Sequence, residues 1–218
     1  NINSYDIPMI ITKDLIQKIL KDKHNIQIVS IKTNSEIGLV NGLWANAYGN
    51  SGILHIETKF YCTNNCFELK LTGMQGDVMK ESMNVSKTLA WNLLSEMQQK
   101  SCLKLFEETK NQGIHIHVPE GSTPKDGPSA GCAITLAIYS LLVNKKIRNN
   151  YALTGEICLN GDITAIGSLD LKILGGIKAG VKTFLYPRQN IRDFNLCYEK
   201  YKEKLLDCSF YEVSTIYE

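Results

Sequence analysis

Apolar residues recur at two periods along this chain, and the changes of period mark out its elements. "TKDLIQKILKD" sets Leu15, Ile16, Ile19 and Leu20 on one stripe behind Thr12, the spacing of a short capped helix. In "IGLVNGLWANAYGNSGILHIETKFY" two β-rich apolar runs flank "GNSG", which predicts a hairpin turned near Asn50, and "CFELKLTG" reads as a further strand. From Asp77 to about Glu108 the period becomes helical, through Val78, Met79, Met83, Val85, Leu89, Leu93, Leu94, Met97, Leu103 and Phe106. That pattern predicts one long helix, with a break, if any, near Ser101.

"IHIHV" (114–118) alternates as a strand does, and "SAGCAITLAIYSLLVNKK" has the small and apolar residues of a buried helix. "YALTGEICLNGDITAIG" predicts two short strands across an Asn160-Gly161 turn. A helix ended by Gly180 ("LDLKILGGIKAG"), a strand ("KTFLYP"), a helix ("QNIRDFNLCYEKYKEKLL") and a last strand ("CSFYEV") complete the chain. Strands alternate with helices in the second half while the first half is hairpin-led, so the class is α+β, or mixed α/β. Residues 1–11 are irregular; no repeat, low-complexity tract or internal linker divides 12–218.

Composition narrows the function classes only slightly. The chain has 218 residues, 44% hydrophobic and 21% charged, and a net charge of +2 with the two signs interspersed. Such a balance gives no field that calls for nucleic acid or an anionic membrane as partner. No run approaches the roughly 18 apolar residues of a membrane span. Seven cysteines are scattered without a repeated CxxC spacing, which suits a reducing compartment better than a disulfide framework. Cys62 and Cys66 are at most half a metal site, with no second pair to complete it. The chain opens on Asn1, so a fragment or a processed product of something longer is expected.

The chemistry concentrates in "TPKDGPSAGCA" (123–133), where a loop meets a helix at Ser129. A helix start stabilises negative charge through its unpaired N–H groups. Position alone fits a capping serine, and Pro128 fits the start of a helix. A phosphate cradle, as in small-molecule kinases, is a second reading, but no G-x-x-x-x-G-K-[ST] is present and only Gly127 precedes the serine. The third reading, a nucleophile, needs a base. His115 and His117 share one strand face without an evident orienting acid, and as an H-x-H metal site they lack a third ligand. Ser122 and Lys125 match S-x-x-K, yet Pro124 argues against the helical turn that spacing requires. Lys172 lies among Leu169, Leu171, Ile173 and Leu174, an apolar setting able to desolvate an ammonium and lower its pKa.

Taken together, "HIHVPEGSTPKDGPSAG" (115–131) closely resembles the catalytic-serine signature of the Lon proteolytic domain, LonA type. "TGEICLNGDITAIGSLDLK" (154–172) resembles that family's catalytic-lysine segment. "LVNGLWANAYGNSGILHIET", "LTGMQGDVMKES" and "AGVKTFLYPRQN" resemble further family segments in the same order, so nearly the whole chain is covered. There are departures: GLWA stands where the family commonly reads GLAW, which displaces Trp44 by one and would turn it to the other strand face. GSLDLK stands for GGLKEK, with Ser168 for a glycine and Asp170 for a lysine.

The resemblance implies a ribosomal protein S5 domain 2-like fold and an ATP-dependent serine endopeptidase whose dyad is Ser129 as nucleophile and Lys172 as base. Thr154 is implied as a hydrogen-bond partner of the lysine, its alternative being an ordinary strand threonine. Asp126 is either a brake that pairs with Lys172 in an inactive arrangement or a turn-stabilising aspartate. No cofactor is expected in this chain; ATP and Mg would serve an ATPase module upstream, to which residues 1–11 would be the linker. Substrates would be unfolded or damaged proteins, the assembly a homo-hexamer, and the compartment bacterial cytoplasm or mitochondrial matrix, with no role for membrane or nucleic acid. A catalytically silent ring-forming or substrate-binding module of the same fold is the alternative.

Overall fold

The computed structural model describes residues 10–19, 29–119 and 125–218. Most of the expected linker, Leu20 and Ser122 lie outside them. A first helix, α1 (Lys13–Ile19), begins at Thr12, whose Oγ1 accepts from Leu15 N at 3.2 Å. Of its predicted stripe, Ile16 and Ile19 are exposed and Leu15 is half-buried.

The centre is a seven-stranded mixed sheet. Strands β1 (Leu39–Ala45) and β2 (Ser51–Tyr61) form the expected antiparallel hairpin, with Ala45 opposite Ser51. Asn46 Oδ1 closes the turn by accepting from Tyr48 N and Asn50 N, each at 3.0 Å. Strand β3 (Leu69–Thr72) runs parallel to β4 (Gly113–His117), which pairs antiparallel with β2. On the other side, β5 (Tyr151–Leu153), β8 (Thr183–Pro187) and β9 (Ser209–Val213) continue from β1 in parallel. The order is β3-β4-β2-β1-β5-β8-β9, and β6 (Glu156–Ile157) with β7 (Ile163–Thr164) makes a separate two-stranded ribbon across Asn160-Gly161.

Helices cover both faces, as the side-chain alternation of the central strands requires. Val40 and Leu153 pack toward α2 (Asp77–Asn92), α3 (Glu96–Thr109) and α4 (Gly131–Leu142). Leu43 and Ala152 pack toward α5 (Leu169–Lys178) and α6 (Ile191–Leu205). α4 is buried almost throughout, which explains why its sequence shows no polar face.

The single helix expected over 77–108 is two. The first ends at Asn92, and Ser95 caps the second: its Oγ accepts from Gln98 N, and Gln98 Oε1 accepts from Ser95 N at 2.9 Å. This S-x-x-Q box competes with a continuous helix and places the break ahead of Ser101. A glycine pair lets α5 lie directly on the hairpin, because a Cβ at Gly175 would stand 2.5 Å from Gly52 N.

Candidate active site

The site forms just past the carboxyl end of β5, where helices from opposite faces of the sheet converge on Thr154 and Gly155. Ligand sites of open α/β sheets commonly lie beyond strand carboxyl ends. Ser129 is the middle residue of a one-turn 3₁₀ helix, Pro128–Ala130, that leads into α4. Gly127 ahead of it has φ +115°, a conformation closed to residues with a side chain.

Three anchors fix this turn. Before it, Asp126 Oδ1 accepts from Met79 N at 3.1 Å and Gly127 N at 2.9 Å, so its carboxylate satisfies the amino-terminal turn of α2. At the centre, the Ser129 carbonyl accepts from Gly155 N at 2.8 Å and from Thr154 Oγ1 at 3.2 Å. Beyond it, the Gly131 carbonyl accepts from Ser86 Oγ at 3.1 Å and Thr135 Oγ1 at 2.9 Å. A Cβ at Gly131 would stand 2.7 Å from Ile157 Cγ2, so only glycine lets α4 approach β6 this closely.

Lys172, at the start of α5, is 5% exposed. Its Nζ donates to Thr154 Oγ1 at 3.4 Å. Burial, which penalises the ammonium, brings its pKa down from 10.5 to about 8. Thr154 itself is wholly buried. Ser129 and Lys172 line one cleft of about 710 Å³ together with Trp44, Gly52, Met79, Asp126, Gly167 and Ser168. Among the described residues no hydrogen bond joins Ser129 Oγ to Lys172 Nζ, and no ion pair joins Asp126 to Lys172. The displaced Trp44 lies over Gly52, its partner across the hairpin, with the indole Nε1 3.1 Å from where a Cβ would be. Ser168, in the place of a family glycine, sits in the left-handed region at φ +56°.

The other candidates are placed elsewhere. His115 Nε2 and His117 Nδ1 both meet Thr72 Oγ1, at 2.9 and 2.7 Å, as hydrogen-bonded strand histidines outside the cleft. Lys125 is buried, lines the cleft, and its Nζ donates to Gly73 O at 3.4 Å; Ser122, with which it matches S-x-x-K, lies outside the described residues. Cys62 and Cys66 are exposed thiols, and the described residues contain no group of three or more His, Cys, Asp or Glu able to hold a metal. No helix among them is long and apolar enough to cross a membrane. Sequence reasoning missed Gly155 and Ser86, whose contributions depend on tertiary contacts that leave no local pattern.

Residues 10–218 match the family described as the Lon protease (S16) C-terminal proteolytic domain. The chain is 40% identical over 207 residues to a Lon protease homolog of Acanthamoeba polyphaga mimivirus, covering 93% of this chain and 20% of the relative. It is 44% identical over 161 residues to a Lon protease of Fusobacterium nucleatum, covering 74% and 20%, and 36% identical over 228 residues to one of Clostridium acetobutylicum, covering 97% and 28%. The chain thus spans roughly a fifth to a quarter of the length of these relatives. Its mixed sheet, with helices on both faces, is consistent with the expected fold. The chain belongs to the family of Lon protease C-terminal proteolytic domains.

Proposed function

We propose that this chain is a serine endopeptidase unit in which Ser129 is the nucleophile and Lys172 the general base. The observation that carries the reading is the buried Lys172 amine, held at Thr154 on the same cleft as Ser129, with a pKa near 8. At pH 7 about a tenth of such lysines are free amines, against well under a thousandth at an ordinary lysine pKa.

Thr154 gives the arrangement a direction. Its single hydroxyl proton goes to the Ser129 carbonyl, which only accepts, so toward Lys172 the hydroxyl acts as acceptor. One N–H of the amine is therefore committed to Thr154, and the lone pair of the neutral amine is left for another proton. Ser129 Oγ adds to the peptide carbonyl carbon as its proton passes to Lys172 Nζ. The resulting ammonium then protonates the leaving amine as the C–N bond breaks, and water releases the acyl group by the same route. Amides at the start of the 3₁₀ turn, Ser129 N among them, would hold the oxyanion; one such donor contributes roughly 3 kcal/mol. For Asp126, a capping role is favoured by its bonds to Met79 and Gly127.

In the longer protein, an upstream ATPase module using ATP and Mg would unfold damaged proteins and feed them to a homo-hexamer of such units, in a reducing intracellular compartment. This chain requires no cofactor of its own. A silent module is the second reading, favoured by the missing Ser129–Lys172 hydrogen bond. Hydrolysis of an unfolded fluorogenic peptide decides between them. Cleavage that is lost in both Ser129→Ala and Lys172→Ala supports the dyad, and cleavage that persists in Ser129→Ala removes it.

A further inference from the structure

Asn190 ends a 3₁₀ turn, Arg188–Asn190, that runs directly into α6, so its side chain is not called on as a cap and makes no capping bond. Its amide instead reaches back to Ile166. Ile166 N donates to Asn190 Oδ1 at 2.9 Å, and Asn190 Nδ2 donates to Ile166 O at 2.9 Å. The second Nδ2 hydrogen goes to Asp193 Oδ2 at 2.7 Å. The orientation is forced, because a flipped amide would set oxygen against oxygen and N–H against N–H. Asn190 is 3% exposed, and its two bonds to Ile166 are buried, whereas the one to the exposed Asp193 is only partly so.

The strip so bracketed leads straight to the lysine. Ile166 is followed by Gly167 and the left-handed Ser168, whose carbonyl accepts from Lys172 N at 3.1 Å in the first turn of α5. Gly167 and Ser168 line the Ser129 cleft on one side and a second cavity of about 330 Å³ on the other. A Cβ at Gly167 would meet nothing within 4 Å. The strip is thus a thin wall between two spaces. Its backbone is held on the flank by Asn190 and, more weakly, by Gln189 Oε1, which accepts from Ala165 N at 2.9 Å.

We infer that Asn190 is a positioning residue for Lys172: its amide fixes the wall at Ile166, and the wall sets both the placement of the Lys172 amine and its isolation from water. The inference rests on the Ser129/Lys172 reading. Without the bracket the wall loosens, water reaches the amine from the second cavity, which Lys172 does not line, and the base becomes harder to deprotonate and less well aimed.

The test measures pH–rate profiles of peptide cleavage for the wild type, Asn190→Ala, Gln189→Ala and Lys172→Ala, with amide hydrogen exchange on each. Asn190→Ala should lower kcat about 10–100-fold with KM within about threefold. Its ascending limb should move to higher pH, and the Ile166 amide should exchange faster while α4 keeps its protection. Gln189→Ala should shift the limb the same way by less. A folded Asn190→Ala whose limb stays at the wild-type pH overturns the inference, whatever its kcat, since a merely stabilising role would not set the lysine's titration. Should Asn190→Ala not fold, an unmoved limb in Gln189→Ala overturns it. Lys172→Ala separates the two levels: full activity there removes the dyad itself, whereas an inactive Lys172→Ala with unmoved limbs elsewhere removes only the role of Asn190.

Discussion

The Lys172 amine donates to the Thr154 hydroxyl at 3.4 Å, and that hydroxyl in turn holds the Ser129 carbonyl at 3.2 Å. One buried side chain therefore ties the lysine of α5 to the turn that carries Ser129 and leads into α4. Thr154→Val keeps the shape and removes both bonds. It should cut kcat about 10–100-fold with little change in KM, and Thr154→Ser should restore most of the loss. An active valine variant beside an impaired serine variant would show that the methyl group, not the hydroxyl, matters.

The lysine titration carries a signed consequence for stability. Its folded pKa of about 8 lies below its unfolded 10.5, so between these values the unfolded chain binds more protons and stability rises with pH. Below about pH 8 the fold carries the full cost of a buried ammonium, about 3 kcal/mol at 1.36 kcal/mol per unit. Lys172→Met should abolish cleavage and raise urea stability at pH 7 by about 2–3 kcal/mol, with the gain fading as pH approaches 10.5. Urea melts at pH 7 and pH 10 test it; an equal effect at both would contradict it.

Ser168 stands in the left-handed region at φ +56°, ahead of the helix that carries Lys172. Ser168→Gly should stabilise the fold by about 0.5–1 kcal/mol, the relief of the Cβ clash less the extra freedom of glycine in the unfolded chain. The urea midpoint reads this directly.

Asp126 separates two roles by the sign of the effect. Both its bonds fall on one oxygen, which an asparagine also supplies. If the carboxylate caps α2, Asp126→Asn leaves stability nearly unchanged and Asp126→Ala costs about 1 kcal/mol along with some activity. A carboxylate acting as a brake on Lys172 would instead make Asp126→Asn more active than the wild type.

The parts of this fold legible in the sequence are those where one rule governs a whole segment. The hairpin showed in the two β-rich runs around Asn50, and the end of α5 in Gly180. The break at Ser95 was hidden because Leu93, Leu94 and Met97 continue the apolar pattern of α2, so the local S-x-x-Q box was outweighed. The ribbon β6–β7 was read without its separation from β5, since pairing partners are not written in the strands themselves. Ser129 and Lys172 were singled out as candidates through resemblance; periodicity alone leaves the first a cap and the second a helix lysine. Their place on one cleft depends on helices from opposite faces reaching the end of β5, and Gly155, Ser86 and Asn190 act through backbone contacts that no residue pattern announces.

The most direct test of the dyad is labelling with a serine-reactive peptidyl phosphonate at pH 8, with the adduct located by mass spectrometry in the wild type and in Lys172→Ala. The account predicts one adduct, on Ser129, that disappears when Lys172 is replaced. An adduct on another residue, or undiminished labelling of Ser129 without Lys172, would contradict it.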